Sequence, residues 1–122
     1  IVTRLSNVYG MYDDSDRVVP LFIRQAKANE GMTVFGKDKC LDFTYIDDTI
    51  SGLLLMLEKF DSAKNSTYNL AWEKGTTIVH LAERIKKLLG SSSEISIKDN
   101  RPGEVVQYVA NVDKAREKLG YN

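Results

Sequence analysis

Cysteine and histidine are almost missing from this chain: Cys40 is the single thiol and His80 the single imidazole. One thiol excludes an internal disulfide, and one residue of each kind excludes a Cys/His metal cluster, so no metal is expected and a reducing, cytoplasmic setting is. No apolar run reaches the roughly 20 residues needed to cross a bilayer; the longest, Ile50 to Leu57, is interrupted by Ser51 and Gly52. Neither sign of charge dominates, with 17 basic and 17 acidic residues, which removes any general attraction to nucleic acid or to an anionic membrane. None of the six tyrosines is followed four residues on by lysine, and no three of the eight glycines are spaced for the turn that cradles a dinucleotide pyrophosphate. These residues therefore hold neither a tyrosine-lysine proton-transfer pair nor a cofactor-phosphate loop.

What is present is an alternation of short β-like and helical stretches in 122 residues, enough for one compact unit with a modest core. The chain opens on Ile1-Val2 without an initiator Met or a leader, and is expected to be a piece of a longer protein. Ile1 to Leu5 reads as a strand running into a loop over Asn7 to Asp16, where turn-forming residues gather. Val18 to Asn29 has helical spacing, with Pro20 in the first turn where a missing N–H costs little. Thr33 to Phe35 and Asp42 to Ile46 read as strands that pair or neighbour each other. Asp47 and Asp48 are expected as N-caps of the most apolar helix, carrying Ile50, Leu53, Leu54, Leu57 and Phe60. Thr67 to Leu70 is a strand. Thr76 or Thr77 caps a helix from Ile78 to Leu89 that Gly90 stops, Ser91 to Ser93 is a linker, and Ile95 to Ile97 is a strand. Asp113 is expected to cap the last helix, Lys114 to Leu119, before Gly120. The pattern is mixed α/β.

A pyrophosphate needs donors that reach its oxygens, and a nucleobase needs a flat apolar face. Three places offer such groups: Arg4 to Gly10 around Asn7; Thr33-Val34-Phe35-Gly36 with Asp42 to Asp48; and Arg101-Pro102-Gly103-Glu104 with Tyr108 beyond. In order and spacing these stretches, with Val19-Pro20-Leu21-Phe22-Ile23, Tyr68-Asn69-Leu70 and Asp113-Lys114-Ala115, resemble the extended short-chain dehydrogenase/reductases, specifically the NAD-dependent nucleotide-sugar epimerases and dehydratases of the UDP-glucose 4-epimerase kind. The resemblance covers essentially the whole chain.

That resemblance implies an α/β fold of short strands and helices, the C-terminal substrate-binding portion of such an enzyme over residues 1–122, with 1–10 the tail of the last strand and loop of a Rossmann domain against which the rest packs. It implies a phosphate contact for Asn7, sugar-nucleotide contacts for Arg17 and Val18, a uracil site at Thr33 and Phe35, a pyrophosphate clamp at Arg101, a ribose contact at Glu104 and a weaker contact at Tyr108. Leu5 and Ser6 alone would approach the nicotinamide, so NAD belongs to the parent enzyme and these residues by themselves are expected to be inactive and not to bind it. Many members carry an arginine just before the Asp-Phe pair; here that position is Leu41. Epimerisation through a transient 4-keto sugar is the implied activity. A dehydratase, decarboxylase or reductase of the same superfamily is the alternative, and a binding module without chemistry is a further one. The partners implied are a UDP-sugar or other nucleotide-sugar, the Rossmann domain, and a second subunit joined through that domain, with an apolar face left where the two domains meet.

Each residue also has a plainer reading. Asn7 serves equally as a turn former, Phe35 as core, Arg101 as a solvated turn residue. Asp47 and Asp48 are caps rather than an acid-base pair, and His80 has no acidic partner nearby. Gly31 to Lys37 imitates a phosphate loop, but Asp38 stands where Ser or Thr is required, and Thr33-Val34-Phe35 favours a strand.

Overall fold

The computed structural model describes residues 1–122 and contains eight strands and five helices. In chain order they are β1 (Val2–Leu5), β2 (Asn7–Tyr9), α1 (Val18–Ala28), β3 (Met32–Phe35), β4 (Cys40–Tyr45), α2 (Ile46–Glu58), α3 (Phe60–Ala63), β5 (Thr67–Leu70), β6 (Gly75–Thr77), α4 (Ile78–Leu88), β7 (Ile95–Lys98), β8 (Gln107–Tyr108) and α5 (Asp113–Leu119). The mixed α/β class expected from the sequence is the one observed. The chain sorts into two compact units: Ile1–Gly10, Asp42–Gly75 and Val109–Asn122 form the first, and Met11–Leu41 and Thr76–Tyr108 the second. No helix is long and apolar enough to cross a membrane.

In the first unit β1 lies parallel to β5, Val2 opposite Thr67 and Leu5 opposite Leu70, and β2 lies parallel to β4, Asn7 opposite Phe43. The segment read as loop from Asn7 onward thus begins as a strand, because β4 supplies partners that no local pattern reveals. The core gathers Met56, Tyr68, Leu70, Leu119 and Tyr121. Helix α2 approaches it at Gly52, where a Cβ would stand 2.7 Å from the Leu70 methyls and 3.0 Å from the Tyr121 ring. Its other side leaves Ile50, Leu53, Leu54 and Leu57 exposed, the kind of apolar face expected from the sequence.

Asp42 organises this unit. Its carboxylate has no exposed surface and accepts from the backbone N–H groups of Trp72 at 3.2 Å, Glu73 at 3.1 Å and Ala110 at 3.2 Å. Two segments far apart in sequence are thus tied to β4 by one side chain. Burial pushes its pKa above the ordinary 3.8, against the pull of the three N–H donors in the other direction.

In the second unit β3 lies parallel to β7, from Met32 opposite Ile95 to Phe35 opposite Lys98. The first residues of β4, Cys40 and Leu41, lie beside Gln107 and Tyr108 of β8. Helices α1 and α4 pack on each other and on β3, burying Phe22, Ala26, Met32, Val34, Ile78, Ala82 and Ile85.

Several local expectations are corrected. β3 pairs with β7 and β4 with β2, so the strand at Thr33 and the strand at Asp42 are not partners. Asp47 and Asp48 sit inside the first turn of α2, whose N-cap is Tyr45 with no side-chain cap bond; they meet the helix dipole rather than cap it. Phe60 lies in the separate helix α3. Asp113 is the first residue of α5, and it is Asn111 Oδ1 that accepts from the Asp113 N–H, at 3.0 Å. Of the two threonines offered as caps for α4, Thr77 does the work, its Oγ1 accepting from the His80 N–H at 3.2 Å. The Ser91 to Ser93 stretch is no loose linker: Asn29, in the left-handed conformation at the end of α1, accepts through Oδ1 from the Ser92 N–H at 2.9 Å and from both the Ser91 and Ser92 hydroxyls.

Asp42→Asn replaces charge-assisted bonds with neutral ones and sets an amide N–H₂ against at least one backbone donor, with Thr44 Oγ1 the other acceptor within reach of the Trp72 N–H, at 3.1 Å; the loss is about 1–3 kcal/mol. Urea unfolding at neutral pH is expected to show it; an unchanged midpoint would refute the role given to Asp42. Because the folded pKa lies above the unfolded one, this group's contribution is greatest below the ordinary value of 3.8 and is lost as pH rises through the raised value. The variant removes that share of the pH dependence.

Candidate functional site

A cavity of about 260 Å³ lies in the second unit, and five residues singled out from the sequence line it: Val18, Thr33, Phe35, Arg101 and Glu104. Asp16, Leu21, Phe22, Lys39, Leu41 and Ile78 complete it. Helix α1 contributes the apolar side, with Arg17 as its N-cap between two lining residues. Strand β3 turns Thr33 and Phe35 to the cavity, because inward Met32 and Val34 take the core and alternation sends their neighbours to the other face.

Two turns bring the charged groups. Arg101-Pro102-Gly103-Glu104 closes with the Glu104 N–H donating to the Arg101 carbonyl at 3.2 Å and Gly103 at φ 80°, which is the type II arrangement that Pro and Gly at its centre favour. The turn sets its first and last side chains side by side, with Arg101 Nη1 3.7 Å from Glu104 Oε1. The Arg101 guanidinium carbon lies over the Phe35 ring, 3.8 Å from its centre. From the other direction, Gly36 at φ 89° opens a turn in which the Lys39 N–H donates to the Gly36 carbonyl at 3.2 Å. A side chain at Gly36 would run into Asn100, so glycine lets the two turns approach. Lys39 Nζ then donates to Glu104 Oε2 at 2.6 Å. That hydrogen bond, with the Lys39 and Arg101 charges, holds the Glu104 carboxyl below its ordinary pKa.

Four residues expected as contacts lie elsewhere. Asn7 belongs to the first unit, where its Nδ2 donates to the Asp42 carbonyl at 2.9 Å. Tyr108 pairs with Leu41 across the β4–β8 ladder and is not among the cavity's lining residues. Leu5 is half-exposed, and the Ser6 hydroxyl donates to the Asp42 carbonyl at 2.6 Å. These two do not make a cradle fitted to a dinucleotide. Sequence reasoning missed two charged lining residues, Asp16 and Lys39; Lys39 reaches a partner 65 positions away, and nothing in its neighbourhood marks it. A second cavity of about 220 Å³ in the first unit carries Trp72, Lys74 and Arg116, but Arg116 is committed to Glu73 at 2.6 Å and Asp113 at 2.7 Å.

The first cavity thus combines a flat aromatic ring, two cations, two carboxylates and an apolar side, and of the carboxylates Asp16 is paired with Arg24 at 2.8 Å while Glu104 faces both lining cations. It offers what a planar, anionic, hydroxyl-bearing ligand needs: a stacking surface, charge-assisted donors and an acceptor.

Comparison with known proteins bears on this chemistry. The model of the NAD dependent epimerase/dehydratase family matches residues 1–71. UDP-glucuronic acid decarboxylase 3 of Arabidopsis thaliana is 34% identical over 98% of this chain and 35% of its own length. The UDP-glucose 4-epimerase of Thermotoga maritima, solved with UDP-glucose, is 31% identical with a TM-score of 0.86, over 98% of this chain and 39% of that one. The UDP-glucuronic acid 4-epimerase of Bacillus cereus, solved with UDP-glucuronic acid and NAD, is 28% identical with a TM-score of 0.91, over all of this chain and 39% of that one. The chain spans about a third of the length of the curated relatives it matches.

Stacking of Arg101 on Phe35 predicts an upfield ring-current displacement of the Arg101 side-chain protons in solution. Phe35→Leu, which keeps an apolar residue on β3, is expected to return them to ordinary positions. Unshifted protons in the unaltered chain would contradict the stacking.

Proposed function

The chain belongs to the NAD dependent epimerase/dehydratase family, and from that premise we propose that it forms the substrate-binding part of a nucleotide-sugar enzyme and grips the nucleoside diphosphate of a UDP-sugar. The observation that carries the reading is the Phe35, Arg101 and Glu104 cluster in one cavity. In the bound state the base lies against Phe35 and Thr33, Arg101 takes a diphosphate oxygen, Glu104 accepts from ribose hydroxyls, and Val18 supports the sugar-nucleotide from α1. Arg17 and Tyr108 are the outer contacts of the same ligand.

The whole protein's reaction is proposed as sugar 4-epimerisation, in which a 4-keto sugar forms and is reduced again. Decarboxylation is the second reading: the curated relatives include UDP-glucuronic acid decarboxylases, as the solved neighbours include 4-epimerases. In either case NAD supplies the hydride chemistry when bound. Leu5 and Ser6 are the residues of this chain assigned nearest to it, and the bulk of its site belongs to a Rossmann domain packed on the first unit. The exposed Ile50, Leu53, Leu54 and Leu57 face of α2 is the surface assigned to that domain. Dimerisation through the Rossmann domain and a cytoplasmic setting complete the proposal.

Calorimetric titration with UDP and UDP-glucose tests it. Weak binding is expected from the unaltered chain, and Arg101→Ala is expected to lose about 1.5–3 kcal/mol of it, the worth of a hydrogen bond to a charged group. Equal binding by both would overturn the assignment of Arg101.

A further inference from the structure

Lys39 and Glu104 form the shortest charged contact in the cavity, at 2.6 Å. Lys39 is also the more enclosed of the two cations there: its side chain is 17% exposed against 58% for Arg101. An ammonium so far withdrawn from water needs an anionic partner to offset its lost hydration. Glu104 supplies one, and through its other oxygen it faces Arg101 at 3.7 Å. A single carboxylate therefore lies between two cations, in a cavity whose remaining lining is mostly apolar. Both groups stand on turns, Gly36 to Lys39 and Arg101 to Glu104, so each side chain can change partner without breaking a strand or a helix.

This is the charge arrangement a diphosphate would meet if it replaced the carboxylate. Two cations facing one anionic centre suit an anion with oxygens on two adjacent phosphorus atoms, and Lys binds phosphate as a compact point charge where Arg binds it with a fork. We propose, resting on the nucleotide-sugar reading of this cavity, that Lys39 is a second diphosphate-binding residue and that Glu104 holds it in the empty site. As the diphosphate arrives, its oxygens take Lys39 and Arg101, and the freed Glu104 carboxylate turns to the ribose hydroxyls. Before the ligand arrives, the Lys39 hydrogen bond and the Lys39 and Arg101 charges hold the Glu104 pKa below its ordinary value. Glu104 thus competes with the ligand for Lys39, which moderates affinity and rewards a ligand that brings both phosphate and ribose. Leu41, next but one to Lys39 and on the apolar lining, leaves Lys39 without a rival cation on that side of the strand.

The test is calorimetric titration of UDP, uridine and inorganic diphosphate into the unaltered chain, Lys39→Met, Lys39→Arg and Glu104→Gln, with thermal unfolding to confirm that each variant folds. Lys39→Met is expected to weaken UDP binding about tenfold or more, as loss of a hydrogen bond to a charged group does, to leave uridine unchanged, and to be restored in part by Lys39→Arg. Glu104→Gln is expected to bind inorganic diphosphate more tightly than the unaltered chain, a gain that vanishes when Lys39→Met is added. If Lys39→Met binds UDP normally while Arg101→Ala does not, this inference falls and the nucleotide-sugar reading stands. If the unaltered chain binds no UDP, both fall. Equal weakening of UDP and uridine would show Lys39 to be structural and overturn the proposal. Should Lys39→Met fail to fold, the Glu104→Gln titration with diphosphate decides alone: tighter binding supports the exchange and unchanged or weaker binding refutes it.

Discussion

The parallel register of β3 and β7 is the constraint on which the candidate site depends. It sets Phe35 opposite Lys98 and continues one step further, where the Gly36 N–H donates to the Lys98 carbonyl at 2.9 Å. Only then do the turns that follow each strand emerge together, one carrying Lys39 and the other Arg101 and Glu104. A slip by one residue would turn Phe35 and Thr33 into the core and Met32 and Val34 out of it. The register is therefore fixed by the same burial of Met32 and Val34 that stabilises the unit. Helices α1 and α4 close over that apolar face, and the N-terminal end of α1 supplies Val18 to the cavity.

The first unit solves a different problem. Asp42 gathers three backbone donors from two distant segments without exposing its own charge, and the Asp42 carbonyl accepts from both Ser6 and Asn7. One residue thus satisfies polar backbone that would otherwise be costly to bury. The consequence for function is that Asn7 and Ser6, which have the chemistry of ligand contacts, hold β4 in this structure. The exposed stripe of α2 is the counterpart: Gly52 lets the helix sit tightly on Leu70 and Tyr121, and the leucines on the opposite side remain available for another surface.

Much of this was legible in the residues, and where it was not the reason is physical. Thr77 as a cap, Gly90 and Gly120 as helix stops, and Arg101-Pro102-Gly103-Glu104 as a turn are local features, and each is realised locally. Strand β2 and the pairing of β3 with β7 are not local, since a strand of three or four residues takes its partner from the tertiary fold. The same is true of Lys39, whose role is set by a carboxylate from the far end of the chain, and of the serine run from Ser91, which looks like flexible linker until Asn29 is seen to bind it. Val18, Thr33, Phe35, Arg101 and Glu104 were found because a resemblance to nucleotide-sugar enzymes drew attention to them; spacing alone would have left Phe35 as core and Arg101 as a solvated turn.

The account rests on a single claim, that the aromatic face and paired cations of the second unit receive a nucleoside diphosphate. Amide chemical-shift mapping of the isotopically labelled chain with UDP addresses it residue by residue. The account predicts saturable shifts clustered on Thr33 to Leu41 and Arg101 to Glu104, with the Trp72 and Arg116 cavity unmoved. Shifts confined to the first unit, or none at Phe35, Lys39 and Arg101 at saturating UDP, would contradict it.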